Sequence, residues 1–126
     1  MKTKIDKVYV ISIDESNAKV KHIHSMIKEI GLPNDCPIEI LGANGWDMSD
    51  EDYNNIVYKD WNMSNESIEV HPNKFYARDI TKGEVGCALS HIKVWKDAYE
   101  NNYDRIIVYE DDIAATEYKM EWSILN

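Results

Sequence analysis

Three adjacent acidic residues, Glu110, Asp111 and Asp112, follow a short run of β-branched and aromatic residues. Side chains two positions apart on a strand point to the same side, so Glu110 and Asp112 can face one ion while Asp111 points elsewhere. Adjacent carboxylates repel one another unless a cation, a hydrogen-bond donor or solvent compensates their charge. The triplet therefore predicts either a site for a hard divalent cation bound to phosphate oxygens, or solvated carboxylates with Asp112 capping a following helix.

A second segment whose residues could bind a ligand or take part in a reaction covers residues 81–91, Thr-Lys-Gly-Glu-Val-Gly-Cys-Ala-Leu-Ser-His. Thr81 and Glu84 have the spacing of a capping box, in which each side chain bonds the backbone N–H of the other at a helix start. Gly83 and Gly86 each cost about 1 kcal/mol relative to alanine inside a helix, so we expect a close backbone approach there. A diphosphate or sugar at the helix N-terminus would explain the glycines, and so would tight packing of this helix on a sheet.

Regularly spaced apolar residues indicate the elements that must position these groups. They predict strands over 7–13, 37–41 and 105–109, and helices over 18–30, 49–61 and 81–100. The last helix carries an apolar stripe that we expect to face the core, made of Val85, Leu89, Ile92, Trp95 and Tyr99. Residues 62–79 are polar and turn-rich, which predicts a long surface loop.

Strands that alternate with helices predict one α/β domain whose largely parallel sheet is flanked by helices. Ligands of such sheets bind outside the carboxyl ends of the strands. Asp14, the Gly-Ala-Asn-Gly turn at 42–45 and the acidic triplet each follow a predicted strand. We therefore expect these residues to lie at one edge of the sheet.

The composition excludes several classes of partner. Fourteen Lys and Arg against 23 Asp and Glu give a net charge of −9, so phosphate backbones and anionic lipid surfaces are repelled. No apolar run is long enough to span a membrane, and no signal-peptide pattern is present, so we expect a cytoplasmic protein. The two cysteines, Cys36 and Cys87, are far apart in the sequence and predict neither a disulfide framework nor a zinc site.

Residues 81–91 and 105–112 are similar to the TxGExGCxLSH and EDD signatures of glycosyltransferase family 25, which includes lipopolysaccharide-biosynthesis enzymes and collagen beta-galactosyltransferases. Residues 8–13 resemble the first strand of that family, and residues 42–45 resemble its A-x-[DN]-G turn. The resemblance implies a GT-A-like, Rossmann-like α/β fold, of which this chain would be the N-terminal, nucleotide-sugar-binding half. The family continues beyond the acidic motif into an acceptor-binding half, so we expect a single domain over 1–126 that is truncated after this motif.

The resemblance also implies a reaction, the transfer of a hexose with inversion from a UDP-sugar to a saccharide or a hydroxylated protein. Mn²⁺ or Mg²⁺ would be held by the DxD-like motif Glu110, Asp111 and Asp112. The residues implied near the donor are Ser12, Asp14, Ala43, Asn44, Gly45, Glu84, Gly86, Ser90 and His91. No residue is assigned as the general base, because the family is expected to carry it in the acceptor-binding half.

Two further expectations accompany this interpretation. The chain could instead be a non-catalytic or degenerate module that keeps the fold for nucleotide binding or protein interaction. If the sheet edge after Tyr109 lacks the half that covers it in the family, an exposed apolar face would favour a homo-oligomer.

Overall fold

The computed structural model describes residues 4–57 and 80–116. The loop predicted over 62–79 and the last four positions of the helix predicted over 49–61 lie outside the described residues. The described residues of Met1–Ala43 and Ser90–Asn126 form one compact unit, and those of Asn44–Leu89 form a second.

The first unit contains a parallel sheet of three strands in the order β2-β1-β3. These strands are β1 (Lys7–Ile11), β2 (Ile38–Leu41) and β3 (Ile106–Glu110). The register places Ile11 opposite both Leu41 and Glu110, so all three strands end at the same edge. The α/β class and the parallel sheet predicted from the sequence are thereby confirmed.

Helix α1 (Asn17–Ile30) begins and ends where the sequence indicates. The Ser16 hydroxyl accepts a hydrogen bond from the backbone N–H of Lys19 and caps the first turn. Gly31 follows the last turn with φ of 76°, and its N–H bonds to the carbonyl oxygen of Ile27. Glycine adopts positive φ without the Cβ penalty that other residues incur, which explains the helix stop at this position.

Strand β1 is buried on both of its faces. Val8 and Val10 pack with Ile23 and Ile27 of α1 on one side of the sheet. Tyr9 and Ile11 point to the other side, where they pack with Val94 of helix α3 (Lys82–Glu100). Full burial of an aliphatic or aromatic side chain contributes about 1.5–3 kcal/mol, so this strand is the centre of the core. The continuous apolar run at 8–11 reflects burial between two layers.

The buried face of α3 differs from the predicted apolar stripe. Val85 is buried and Leu89 is half-buried, as expected, but the most buried positions further along the helix are Ser90, Val94 and Ala98. The prediction was wrong for three residues, with exposed fractions of 51% for Ile92, 60% for Trp95 and 84% for Tyr99. The buried face carries small side chains because these let the helix lie close to the sheet, which large rings at the same positions would prevent.

A polar cluster that the sequence analysis missed joins β1, β2 and α3 at the amino end of the sheet. The Lys7 ammonium lies 2.5 Å from Glu39 Oε2 and 2.9 Å from Asp97 Oδ2, and the Tyr9 hydroxyl donates to Asp97 Oδ2 over 2.5 Å. Burial, followed by the hydrogen bond to Asp97, raises the pKa of Tyr9. Burial lowers the pKa of Lys7, but the bonds to Glu39 and Asp97 outweigh it, so the net shift is upward.

The second unit contains a 3-10 turn (Gly45–Asp47), helix α2 (Asp50–Ile56) and the start of α3. Ser49 caps α2 by accepting from the backbone N–H of Asp52, as its position in the sequence predicts. The Lys82 ammonium donates to the Met48 carbonyl oxygen over 2.8 Å and to Asp50 Oδ1 over 2.7 Å. Lys82 thereby lowers the pKa of Asp50.

None of the helices in the described segments is long and apolar enough to cross a membrane.

Candidate functional site

The end of β1 is joined to the end of β3 by a buried serine. Ser12 is 7% exposed, and its hydroxyl donates to Asp111 Oδ2 over 2.8 Å. The Ser12 hydroxyl oxygen also accepts from the backbone N–H of Asp14 over 3.2 Å. Because Ile11 and Glu110 are paired in the sheet, Ser12 and Asp111 are the next residues after the paired strand ends. The structure therefore brings together two residues that the sequence assigns to different parts of the donor site.

Asp111 has a second partner in the first turn of α1. The Lys19 ammonium lies 3.7 Å from the same Asp111 Oδ2, with exposed side-chain fractions of 28% and 32%. Lys19 was not among the residues predicted for the site. Its position one turn into the helix that follows β1 is the available signal, because that turn also lies at the carboxyl edge of the sheet.

Asp14 organises the loop between β1 and α1. Its Oδ1 accepts from the backbone N–H of Ser16 over 2.9 Å. This hydrogen bond holds the pKa of the Asp14 carboxyl below its usual range, because it favours the charged form. Asp14 is exposed at the carboxyl edge, where the sequence predicts it.

The end of β2 is held by α3. The hydroxyl of Ser90, which is 1% exposed, accepts from the backbone N–H of Ala43 over 2.8 Å. The Lys93 ammonium donates to the Gly42 carbonyl oxygen over 3.2 Å. A side chain at Gly42 would place its Cβ 2.4 Å from the Ser12 carbonyl oxygen, so only glycine fits where this turn passes the end of β1. Ser90 and Ala43, both predicted near the donor, thus contact each other.

His91 lies beside the acidic triplet. Its Nε2 is 3.4 Å from Glu110 Oε1 at the end of β3. The imidazole is also near Trp95, with 6.1 Å between the ring centroids. The His91 ring therefore neighbours both the exposed Trp95 of α3 and the first carboxylate of the triplet.

The three carboxylates have different surroundings. Glu110 and Asp112 are exposed, whereas Asp111 is half-buried against Ser12 and Lys19. Residues 111–112 form a turn and residues 113–116 have no regular structure, so Asp112 caps no helix in the described part of the chain. Carboxylate oxygens are the kind of ligand that hard divalent cations such as Mg²⁺ and Mn²⁺ prefer.

The other predicted donor residues, Asn44, Gly45, Glu84 and Gly86, belong to the second unit. Asn44 Oδ1 accepts from the backbone N–H of Trp46 over 3.1 Å and caps the 3-10 turn. Glu84 forms the predicted capping box, since its Oε2 accepts from the Thr81 N–H over 2.7 Å and its own N–H donates to Thr81 Oγ1 over 3.2 Å.

Close packing of backbone atoms explains Gly45 in the second unit. A Cβ on Gly45 would lie 1.7 Å from the Lys82 carbonyl oxygen and 2.7 Å from the Gly86 nitrogen. A Cβ on Gly83 would lie 3.1 Å from the Trp46 ring. The start of α3 therefore packs on the 3-10 turn, an arrangement that differs from the packing on the sheet considered from the sequence.

The described fold and site define an α/β protein that gathers buried serines and exposed carboxylates at the carboxyl edge of a parallel sheet, where proteins of this architecture bind ligands. Residues 5–123 match the family model described as glycosyltransferase family 25 (LPS biosynthesis protein), and the chain belongs to this family. The resemblance noted in the sequence is thereby confirmed.

The chain is similar to bacterial and animal proteins that carry the family name or a related activity in their names. A provisionally named glycosyltransferase of Haemophilus influenzae is 34% identical over 113 residues, which are 90% of this chain and 34% of the relative. Procollagen galactosyltransferase 2 of Mus musculus is 36% identical over 55 residues, 44% of this chain and 8% of the relative. Inactive glycosyltransferase 25 family member 3 of Homo sapiens is 24% identical over 108 residues, 86% of this chain and 16% of the relative.

The chain thus spans about a third of the length of the Haemophilus influenzae protein. No solved structure matches it.

Proposed function

We propose that this chain supplies the donor-binding part of a GT-A-type glycosyltransferase, which transfers a hexose from a UDP-sugar to a saccharide or a hydroxylated protein. The observation that carries the proposal is the acidic triplet at the carboxyl end of β3, where Asp111 is joined to Ser12 at the end of β1. Membership of family 25 supports glycosyl transfer as the reaction class. The sugar, the acceptor and the inverting course belong to the proposal.

The net charge of −9 sets a condition for donor binding. A diphosphate is repelled by this field unless local positive charge offsets it. Glu110, Asp111 and Asp112 would hold Mn²⁺ or Mg²⁺, which when bound neutralises charge on the departing nucleoside diphosphate. The Lys19 ammonium, 3.7 Å from Asp111, would add a fixed positive charge at the same edge.

The residues around the triplet would give the donor a fixed binding surface. Ser12 holds the β1 end against β3, and Ser90 holds the β2 end against α3. Both hydroxyls are buried, so these loop ends are ordered before a ligand arrives, which lowers the entropic cost of binding. Ser12, Asp14, Ala43, Ser90 and His91 therefore remain our proposed donor residues in this unit. Asn44, Gly45, Glu84 and Gly86 stay predictions whose observed contacts are with their own unit.

Transfer with inversion needs a base that removes the proton of the acceptor hydroxyl. We assign this role to none of the described residues. Acceptor binding is likewise left to parts of the protein other than those described.

A second function, a module of the same fold without catalysis, is favoured by one observation. The human relative that aligns over 86% of this chain is named inactive. A module of this kind would keep the packing of β1, α1 and α3 but would not need a metal-dependent donor site.

Calorimetric titration of UDP and UDP-hexoses, with and without Mn²⁺, separates the two functions. We expect Mn²⁺-dependent binding that is lost in Asp112→Asn, because this change removes one carboxylate of the proposed ion site. Asp104→Asn is the matched control, since it removes the same charge from an exposed position before β3. UDP binding that is absent or independent of Mn²⁺ would contradict the glycosyltransferase function and favour the non-catalytic module. Equal weakening of UDP binding by both variants would have the same meaning.

A cytoplasmic location remains a proposal that accompanies the proposed function. Fractionation of the producing cells tests it, and recovery of the protein with the membranes would contradict it.

A further inference from the structure

The indole ring of Trp46 is open to solvent on a turn that the fold holds in place. Trp46 belongs to the 3-10 turn that follows β2, and 64% of the residue is exposed. We propose that this indole is the platform on which the uracil of the donor nucleotide stacks. This inference rests on the proposed function and adds to it the residue that contacts the nucleobase.

The backbone beneath the ring is fixed by contacts within the second unit. The Trp46 N–H donates to Asn44 Oδ1 over 3.1 Å, and the Lys82 ammonium donates to the Met48 carbonyl oxygen over 2.8 Å. Gly45 lies so close to α3 that a Cβ there would be 1.7 Å from the Lys82 carbonyl oxygen. The turn is therefore held against the start of α3 both before and after Trp46. A ligand would meet a surface that is already ordered, which lowers the entropic cost of binding.

The ring itself lies over a glycine in the first turn of α3. A Cβ on Gly83 would meet the indole atoms Cζ2, Nε1 and Cε2 of Trp46 at 3.1, 3.1 and 3.2 Å. Glycine is unfavourable inside a helix, and the room that it leaves for the indole gives a reason for it at this position. One edge of the indole is thus supported by α3, while most of its surface faces solvent.

The place of this turn in the fold indicates which part of a nucleotide it would meet. In doubly wound α/β proteins, the ribose of a bound nucleotide contacts a residue at the end of the second strand. Strand β2 ends at Leu41, and Trp46 follows shortly after it in the sequence. The nucleoside is therefore the part of the donor that we expect at the loop after β2.

The charges near the ring in the sequence favour an uncharged base over a phosphate. Four exposed carboxylates lie in the same turn and in the first turn of α2, namely Asp47, Asp50, Glu51 and Asp52. The Lys82 ammonium is already paired with Asp50 at 2.7 Å. A negative field of this kind repels phosphate groups, whereas a neutral base can stack on an aromatic ring without a counter-charge.

The experiment compares UDP with inorganic pyrophosphate, each titrated into the whole chain with Mn²⁺ in a calorimeter. Both ligands carry two linked phosphates, but only UDP carries a base. We expect Trp46→Leu to weaken UDP binding about 5–150-fold, the range that follows from the loss of one base–aromatic stack, and to leave pyrophosphate binding unchanged. Trp46→Phe keeps a smaller aromatic ring, so its UDP affinity should lie between those of the wild type and Trp46→Leu.

Trp95→Leu is the matched control, because Trp95 is 60% exposed on α3 and the variant removes a comparable indole. It should bind UDP as the wild type does, and thermal unfolding checks that each variant is folded. Proton NMR of UDP bound to the wild-type chain, with Mg²⁺ in place of the paramagnetic Mn²⁺, gives a readout that needs no variant. The uracil ring protons should move upfield, because the ring current of an indole shields protons that lie over its face.

Equal UDP affinity in Trp46→Leu and the wild type would overturn the stacking role. Equal weakening of UDP and pyrophosphate by Trp46→Leu, equal weakening of UDP by Trp95→Leu, or uracil resonances that do not shift would also overturn it. Each of these results would leave the proposed function intact, because the wild-type chain would still bind UDP with the metal ion. A wild-type chain that does not bind UDP with Mn²⁺ would overturn both.

Discussion

At the scale of single residues, the carboxyl group of Asp97 makes the stability of the protein depend on pH. Its carboxylate accepts from the Tyr9 hydroxyl and from the Lys7 ammonium, and these two bonds hold the pKa of Asp97 below its usual range. A group with a lower pKa in the folded than in the unfolded state binds fewer protons when folded. Its stabilising contribution is therefore complete above the unfolded pKa, about 3.9 for aspartate, and is lost as the pH falls through the folded value.

We predict that the free energy of unfolding decreases as the pH falls from about 5 towards 3, and that Asp97→Asn makes this decrease smaller. Urea denaturation at a series of pH values measures both slopes. Asp6, Asp14 and Asp50 also have lowered pKa values, so part of the dependence should remain in the variant. An unchanged slope in Asp97→Asn would show that this carboxyl makes no such contribution.

The residues proposed for the site were easier to find from the sequence than the contacts between them. The acidic triplet and Ser90-His91 can be recognised from residue type and spacing. The bond from Ser12 to Asp111 joins residues 99 positions apart, and it depends on β1 lying next to β3 in a particular register. Nothing in a local pattern specifies that register.

At the scale of elements, helix starts were predicted well because caps are local. Ser16, Ser49 and the Thr81–Glu84 box each bond a backbone N–H three residues away. The buried face of α3 was predicted poorly because large apolar residues on one side and small ones on the other give two candidate faces. The fit against the sheet selects the small residues, and a hydrophobic pattern alone does not contain that information.

The close contact at the start of α3 gives a prediction with an internal control. Gly45→Ala should destabilise the protein by about 1–3 kcal/mol or prevent folding, because the new Cβ would overlap the Lys82 carbonyl oxygen. Gly83→Ala should be neutral or stabilising, since alanine favours a helix by about 1 kcal/mol and the Trp46 ring can move. That ring is 64% exposed, and its atoms are the nearest that a Cβ at Gly83 would meet.

Urea denaturation of the two variants measures the difference. Equal stability of Gly45→Ala and Gly83→Ala would contradict the packing of the 3-10 turn on the backbone of α3.

At the scale of the whole molecule, the self-association expected at the sheet edge after Tyr109 remains a prediction, and the structure adds a second exposed apolar surface on α3. The exposed side chains of Ile92, Trp95 and Tyr99 lie at spacings of three and four residues on α3 and form one apolar face. Association of two protein surfaces would remove this apolar face from water, which favours self-association. We expect dimers or larger species in light scattering, with Trp95→Lys shifting the population to monomer and Lys21→Ala on α1 as an exposed control. A monomeric wild-type protein at high concentration would contradict the prediction.

The proposed donor site depends on a metal ion binding at the acidic triplet. The most direct measurement is an X-ray anomalous difference map from crystals of the chain grown with UDP and Mn²⁺. We predict a manganese peak within coordination distance of the carboxylates of the acidic triplet, Glu110, Asp111 and Asp112. A manganese peak elsewhere, or UDP bound without manganese near the acidic triplet, would contradict the proposed donor site.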